Sequence, residues 1–256
     1  MDLGLKGKVA IVTGAGRGIG RAVALTMAEE GVRLVVNKVT EEGAQELLDE
    51  IEQKGGQKAV LIIGDVSEEA VANKIVDTAV REYGKLDILI NNAGISPKLP
   101  FWEITLEQFD HVMAVNTRSI FLMSKAAFEP MKKNGRGSIV NLSSVAGLYG
   151  TVNSAVHYSA SKGGILGMTR TLALQMAPYN INVNAVVPGR TDTAMTRMLS
   201  PEKIKETVSL IPLGRLGTTQ DIANLVVFIA SERASYITAN WIEITGGWVQ
   251  RVTTQK

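Results

Sequence analysis

The chain has 256 residues, 45% of them hydrophobic and 20% charged, the balance of a soluble globular protein with a substantial core. Its formal net charge of +2, with acids and bases mixed along the chain, offers no basic stripe for nucleic acid. The absence of cysteine excludes a disulfide framework, a thiolate nucleophile and a cysteine-ligated metal, and two histidines, His111 and His157, are too few for a histidine-rich metal site.

The opening residues, Met1 to Lys8, lack the apolar stretch and small-residue cleavage site of an export signal. No uncharged apolar run approaches the roughly 20 residues needed to cross a bilayer. The expectation is a cytoplasmic protein with no membrane partner.

In chain order, Val9-Ala10-Ile11-Val12-Thr13 predicts a first buried strand and Ile19–Glu30 the helix after it. Strand-like runs recur at Leu34–Val36, Ala59–Ile63, Ile88–Ile90, Ser138–Leu142, Ile181–Val187 and Trp241–Ile244. Their apolar character is continuous rather than alternating, which suits strands covered on both faces of a parallel sheet. Helical segments are expected at Glu41–Gln53, Glu68–Tyr83, Leu106–Phe128, Tyr158–Ala177 and Gln220–Ala230. The alternation predicts a single-domain, Rossmann-like, doubly wound α/β fold with helices on both faces of the sheet. Residues 189–216, with Pro201 and Pro212, interrupt the alternation just after a strand, where such folds place ligand loops.

Between the first strand and helix lies Thr13-Gly14-Ala15-Gly16-Arg17-Gly18-Ile19-Gly20. Glycines there permit a tight turn and close approach of backbone to a pyrophosphate, with the helix N-terminus facing the phosphates. Ile19 breaks the common dinucleotide spacing, but Gly14, Gly18 and Gly20 fit glycine-x-x-x-glycine-x-glycine. Farther on, Tyr158 and Lys162 stand four apart, on one face of the helix expected there. A cation beside a phenol in a closed pocket favours the phenolate. Alone, a tyrosine and a lysine at this spacing are common.

Several segments occur together in one order: the glycine loop, Asp65-Val66, Asn91-Asn92-Ala93-Gly94, Asn116, Ser143-Ser144, Tyr158 with Lys162, and Pro188-Gly189. With them the chain resembles, over nearly its whole length, the short-chain dehydrogenase/reductase family, particularly its 3-oxoacyl-(acyl carrier protein) reductase-like members. The resemblance implies an enzyme that transfers a hydride between a nicotinamide cofactor and a carbonyl or secondary alcohol. Tyr158 is implied as general acid or base, with Lys162 lowering its pKa and bonding the nicotinamide ribose. Ser144 is implied as donor to the substrate oxygen, Ser143 being the alternative, and Asn116 as anchor of a relay water. Asn116 also reads as a helix-interior residue bonded to backbone.

The same resemblance implies that Asp65 and Val66 hold adenine and that Asn92, Ala93 and Gly94 line the cofactor cleft, with Pro188, Gly189, Thr191 and Thr193 at the nicotinamide carboxamide. Asp65 has a second reading as a helix cap, and Asn91-Asn92 one as a turn. Arg190 replaces an apolar or aromatic residue common in the family. An NAD-type site places an acid about 20 residues past the glycine loop, whereas this chain has Lys38 there and Arg17 within the loop. Two cations suit a 2′-phosphate, so NADP is favoured over NAD; Glu41 and Glu42 are nearby acids able to counter them.

Substrate readings stay open. The resemblance favours a 3-oxoacyl thioester on acyl carrier protein, for which Lys132, Lys133 and Arg136 form a basic patch that also reads as a solvated helix end. The alternative substrate is a sugar, polyol or other small secondary alcohol; an alternative of another class is a non-catalytic NADP-binding regulator. Phe101 and Trp102 cover either a ligand or core. Met195, Met198 and Leu199 suit a substrate lid, and His157, beside Tyr158, lines a pocket or lies in a loop. A homotetramer is implied by the resemblance, with Ala234–Asn240 as a subunit-contact segment in which Ala239 replaces a usual glycine.

Overall fold

A computed structural model of the chain describes residues 2–55, 57–150, 154–193, 196 and 200–248. Its centre is one seven-stranded sheet of order β3-β2-β1-β4-β5-β6-β7, every neighbouring pair parallel. The strands are β1 Val9–Val12, β2 Arg33–Lys38, β3 Val60–Ile63, β4 Ile88–Asn91, β5 Gly137–Leu142, β6 Ile181–Pro188 and β7 Trp241–Ile244. Order reverses between β1 and β4, the switch point beside which such sheets bind ligands.

Successive side chains in a strand face opposite ways, and the core divides accordingly. Ala10, Val12, Leu34, Val36, Ile90 and Val140 pack with α1 (Gly18–Glu29), α2 (Ala44–Gly55) and α9 (Thr219–Ala230). Val9, Ile11, Val35, Leu89, Ile139 and Val183 pack on the other face with α3 (Glu69–Tyr83), α5 (Ser119–Lys133) and α7 (Val156–Met176). Both sides being apolar is why the strands read as unbroken hydrophobic runs.

The single helix expected over Leu106–Phe128 is corrected to three parts: α4 (Leu106–Met113), a π turn over Ala114–Arg118, and α5. The turn holds Asn116, whose buried side chain bonds outside the helix, and such insertions in a helix often mark functional positions. Two short helices interrupt stretches expected as loop. They are α6 (Val145–Tyr149), capped by Ser144, and α8 (Pro201–Ser209), capped by Ser200 with Pro201 in its first turn. Ala239 has φ of +58°, a left-handed conformation that costs a residue with a Cβ about 1–2 kcal/mol.

A chain of buried amides crosses the sheet and fixes α7. Asn91 Nδ2 donates to Asn141 Oδ1 at 2.9 Å, and Asn141 Nδ2 donates to Thr169 Oγ1 at 3.0 Å. Asn91 therefore ties strands to helix, and Tyr158 and Lys162 on that helix inherit the sheet as their reference frame.

Candidate active site

At the carboxyl ends of the strands a cavity of about 570 Å³ opens between the glycine loop, the start of α7 and the segments after β4 and β6. Of the expected site residues, Arg17, Ile19, Asn92, Gly94, Ser143, Tyr158, Lys162, Pro188 and Thr193 line it. Its volume falls in the range of small-molecule sites.

The glycine loop is shaped for a phosphate-bearing ligand. Gly14 has φ of +64°, and a Cβ there would lie 2.8 Å from Ala93 Cα, while one on Gly20 would lie 2.3 Å from Asn92 Nδ2. Asn92 Nδ2 in turn donates to the carbonyls of Thr13 and Gly14, at 2.9 and 3.1 Å, and the Ala93 amide donates to Thr13 Oγ1 at 3.1 Å. Gly18 differs: its φ is +59° and a Cβ would meet nothing within 4 Å, so the loop is open at that point. Arg17 caps α1 without a side-chain hydrogen bond, leaving the first amides of that helix to a ligand. The residues present fit a dinucleotide.

Lys38 lies at the end of β2 with its stem against the loop, its Cε 3.1 Å from a Cβ placed on Gly16. It is 8% exposed, and its Nζ donates to the Glu42 carbonyl. Among the described residues neither Lys38 nor Arg17 is paired with an acid, so Glu41 and Glu42 do not counter them. Asp65 Oδ1 accepts from the Ser67 amide at 2.8 Å, which serves the turn before α3, and Val66 is buried in the core beside it.

Lys162 is buried and its Nζ donates to the Leu142 carbonyl at 2.7 Å. Burial pushes the ammonium down to about 8. Gly94 leaves room for it, since a Cβ there would stand 3.5 Å from Nζ. The Lys162 Nζ is 5.8 Å from the centre of the Tyr158 ring. Burial holds the Tyr158 phenol above its ordinary value of 10, opposed by a hydrogen bond with the Ser144 side chain and by the charge of Arg190. The expected lowering by Lys162 is absent here; the ammonium faces a carbonyl, and the cation felt by the phenol is Arg190.

The two serines separate by their partners. Ser143 Oγ donates to the Lys162 carbonyl at 2.8 Å, so its hydroxyl proton is used in holding α7. Ser144 Oγ accepts from the Ala146 amide at 3.2 Å, which leaves its proton uncommitted, and it acts on the Tyr158 phenol, although of the two serines it is Ser143 that lines the cavity. Asn116 is engaged at both ends of its amide: its Oδ1 accepts from the Ile95 amide at 2.8 Å, and its Nδ2 donates to the Ile95 carbonyl and Ser161 Oγ, both at 2.9 Å. Its side chain clamps the loop after β4 to α7, which is the backbone-bonded reading.

Gly189 lies against Thr245, to whose Cα an added Cβ would come within 3.0 Å, and Thr191 forms a strand-like bridge with Gly217. His157 is corrected from pocket or loop to a fully buried residue of α7. Its Nδ1 accepts from the Tyr158 amide at 3.0 Å, and burial lowers its pKa. Phe101 and Trp102 cover no core, being 66% and 74% exposed and stacked edge-to-face on each other. Met195, Met198 and Leu199 lie outside the described residues.

The far wall of the cavity was not anticipated from sequence. It consists of Ile95, Ser96, Leu99 and, from α4, Gln108, His111 and Val112. Gln108 and His111 are three apart and so share a helix face, a signal available in the sequence once α4 is known to flank the site. Among the described residues no group of His, Asp or Glu could hold a metal ion, and no helix is long and apolar enough to cross a membrane.

The family model described as enoyl-(acyl carrier protein) reductase matches residues 14–249. With the parallel sheet, the glycine loop and the tyrosine–lysine pair, this shows that the chain belongs to the short-chain dehydrogenase/reductase family, an oxidoreductase family whose members use nicotinamide cofactors. Among its relatives is an uncharacterized oxidoreductase of Thermotoga maritima, 44% identical over 251 residues, covering 96% of this chain and 98% of the relative. The 3-oxoacyl-[acyl-carrier-protein] reductase FabG of the same organism is 40% identical over 96% of this chain and 99% of its own length. The Escherichia coli K12 protein of that name is 37% identical over 96% and 98%. A solved structure assigned as a short-chain alcohol dehydrogenase from Sinorhizobium meliloti 1021 superposes with a TM-score of 0.91 at 37% identity, covering 97% of this chain and 98% of that one.

Proposed function

We propose that the chain reduces a carbonyl to a secondary alcohol, or runs the reverse reaction, with NADP(H) in the cavity beside the glycine loop. The observation that carries this reading is the half-buried Tyr158 at the cavity, with Ser144 near enough to act on its phenol, the Lys162 ammonium 5.8 Å from its ring and an open glycine loop alongside. When bound, reduced nicotinamide supplies the hydride. Ser144 orients the carbonyl oxygen by donating its proton, and Tyr158 delivers a proton to that oxygen. A phenol held above 10 stays protonated through the neutral range, the form a proton donor needs. Lys162, close to neutrality, replenishes the proton and bonds the ribose. Asn116 anchors a relay water beside Lys162.

Gly14, Gly18, Ile19 and Gly20 hold the pyrophosphate, Asp65 and Val66 the adenine, and Asn92, Ala93 and Gly94 the cleft floor. Pro188, Gly189, Thr191 and Thr193 hold the carboxamide. NADP is favoured because Arg17 and Lys38 are cations without acid partners where a 2′-phosphate would lie. Residues 189–216 act as a substrate lid. The exposed Phe101, Trp102, Phe121 and Tyr236 support a homotetramer, which light scattering of the purified protein tests.

The names of the FabG relatives make 3-oxoacyl thioesters on acyl carrier protein the first substrates to assay. A second reading, a small secondary alcohol or ketone, is favoured by the basic patch. Arg136 is paired with Glu232 at 2.8 Å, and Lys132 lies over the rings of Phe128 and Tyr179. Lys132 lies in the last turn of α5 and Arg136 just before β5, a strand that spans roughly 20 Å between them and Ser144. Absorbance of NADPH, followed with ketones and with 3-oxoacyl thioesters, separates the two. NADPH binding without turnover of any carbonyl or alcohol would sink the enzyme reading in favour of a non-catalytic regulator.

A further inference from the structure

The run from Leu142 to Gly147 grips α7 at one residue. Lys162 Nζ donates to the Leu142 carbonyl at 2.7 Å, and the Lys162 carbonyl accepts from Ser143 Oγ at 2.8 Å. Gly147 lies against the same stretch of backbone: a Cβ added to it would fall 2.5 Å from the Lys162 carbonyl carbon and 2.6 Å from the Gly163 nitrogen. Ser144 stands inside this grip, and Tyr158 stands about one helical turn before Lys162. About two turns further along α7, Asn141 Nδ2 donates to Thr169 Oγ1 at 3.0 Å, a second tie between the same strand and helix. The Ser143 hydroxyl is not needed by its own strand, because the Ser143 amide already donates to the Val186 carbonyl at 2.9 Å. Ser143 is buried and lines the cavity, yet its proton goes to the backbone of the helix. Of the two hydrogen bonds that reach Lys162, the one from its ammonium is shared with the ribose in the proposed function. The Ser143 bond has no duty to the cofactor.

We propose that Ser143 is a positioning residue of the hydride-transfer reaction: its bond to the Lys162 carbonyl holds the Ser144 hydroxyl in register with Tyr158. The inference rests on the hydride-transfer reading and assigns the first serine of the pair to alignment rather than to the substrate oxygen. Proton transfer requires heavy atoms within about 2.6–3.2 Å of each other. A misplacement of about 1 Å can cost roughly 100-fold in rate. The Ser143 bond lies one residue from Ser144 and about one turn from Tyr158, so slack introduced there passes to both.

The test uses the full chain with Ser143→Ala, Ser143→Thr, Ser144→Ala and the double alanine variant. Ser143→Ala is expected to leave NADPH affinity unchanged in fluorescence titration and to lower kcat roughly 10- to 100-fold. Ser143→Thr, which keeps the hydroxyl, restores most of that rate. Because Ser143 acts through Ser144, adding Ser143→Ala to Ser144→Ala costs little more, whereas independent roles would multiply. Multiplied losses overturn the proposal. So does a loss from Ser143→Ala as large as that from Ser144→Ala, which would make Ser143 the donor to the substrate. A fall in urea stability with kcat unchanged leaves Ser143 merely structural and overturns it as well. Ultraviolet titration of the Tyr158 phenolate, taken as the difference from Tyr158→Phe, gives a readout without turnover. The Ser144 bond lowers that phenol, so Ser143→Ala should move the midpoint upward, in the direction of Ser144→Ala and by less. That shift supports the alignment even if no carbonyl is reduced, which would fault the hydride-transfer reading instead; an unmoved midpoint counts against it.

Discussion

The two ends of the sheet differ in how the cations closest to the strands are partnered. At the amino ends of the strands Lys8 is 3.0 Å from Glu232, Arg136 is 2.8 Å from the same carboxylate, and Lys85 is 2.9 Å from Asp87. At the carboxyl ends Arg17, Lys38, Lys162 and Arg190 have no acid among the described residues. The Arg136–Glu232 pair is exposed and such pairs contribute little to stability, while the buried Asp87 is satisfied by Lys85; neither needs a ligand. Arg17 is exposed, but Lys38 and Lys162 are buried and Arg190 half-buried, and single charges so placed are tolerated where a ligand completes them. The same residue types thus close one end of the molecule and leave the other waiting for an anion.

The contrast can be broken in order of expected effect. Tyr158→Phe should keep NADPH affinity and lose about 10²–10⁴ or more in turnover; near-normal rates would remove Tyr158 as proton donor. Lys38→Asp should weaken NADPH roughly 10- to 100-fold and improve NADH, read by fluorescence titration. An unchanged ratio would place the 2′-phosphate elsewhere.

Lys162→Met tests the cost of a lone buried charge. The folded-state pKa is about 8 against 10.5 ordinarily, so between those values the folded protein binds fewer protons than the unfolded. Stability from this group therefore rises with pH across that window and is lowest below 8. The cost is up to about 3 kcal/mol at neutral pH, partly offset by the bond to Leu142. The variant should be more stable by about 1–3 kcal/mol at pH 7 in urea unfolding, with the gain shrinking towards pH 10.5, while activity is lost. At the other end, Arg136→Ala should change stability by less than about 1 kcal/mol and leave kcat/KM alone. A large activity loss there would revive the patch as a docking surface.

The strands were legible to within a residue or two because a parallel sheet buried on both faces writes unbroken runs such as Val9–Val12 and Ile181–Pro188. The glycine loop, Tyr158 and Lys162 were legible because their spacing is local. The π turn was not, since it depends on bonds from Asn116 to Ile95 and Ser161, 21 and 45 residues away. Helix α8 lay in a stretch read as a loop for its prolines, although Ser200-Pro201 is a cap followed by a first-turn proline. The choice between Ser143 and Ser144 turned on the Lys162 carbonyl, which only the packing of α7 against β5 brings near. The same holds for the phenol, raised by burial rather than lowered by its neighbour.

Gln108 stands in the cavity wall and also closes the capping box of α4, its Oε1 accepting from the Thr105 amide at 3.0 Å. One side chain thus answers to two selections, for what the cavity admits and for where the helix begins. A lineage drifting towards a new substrate through this position would pay in foldedness before it gained in choice. Its accessible paths run through Ser96, Leu99 or His111, whose replacement leaves that helix start intact.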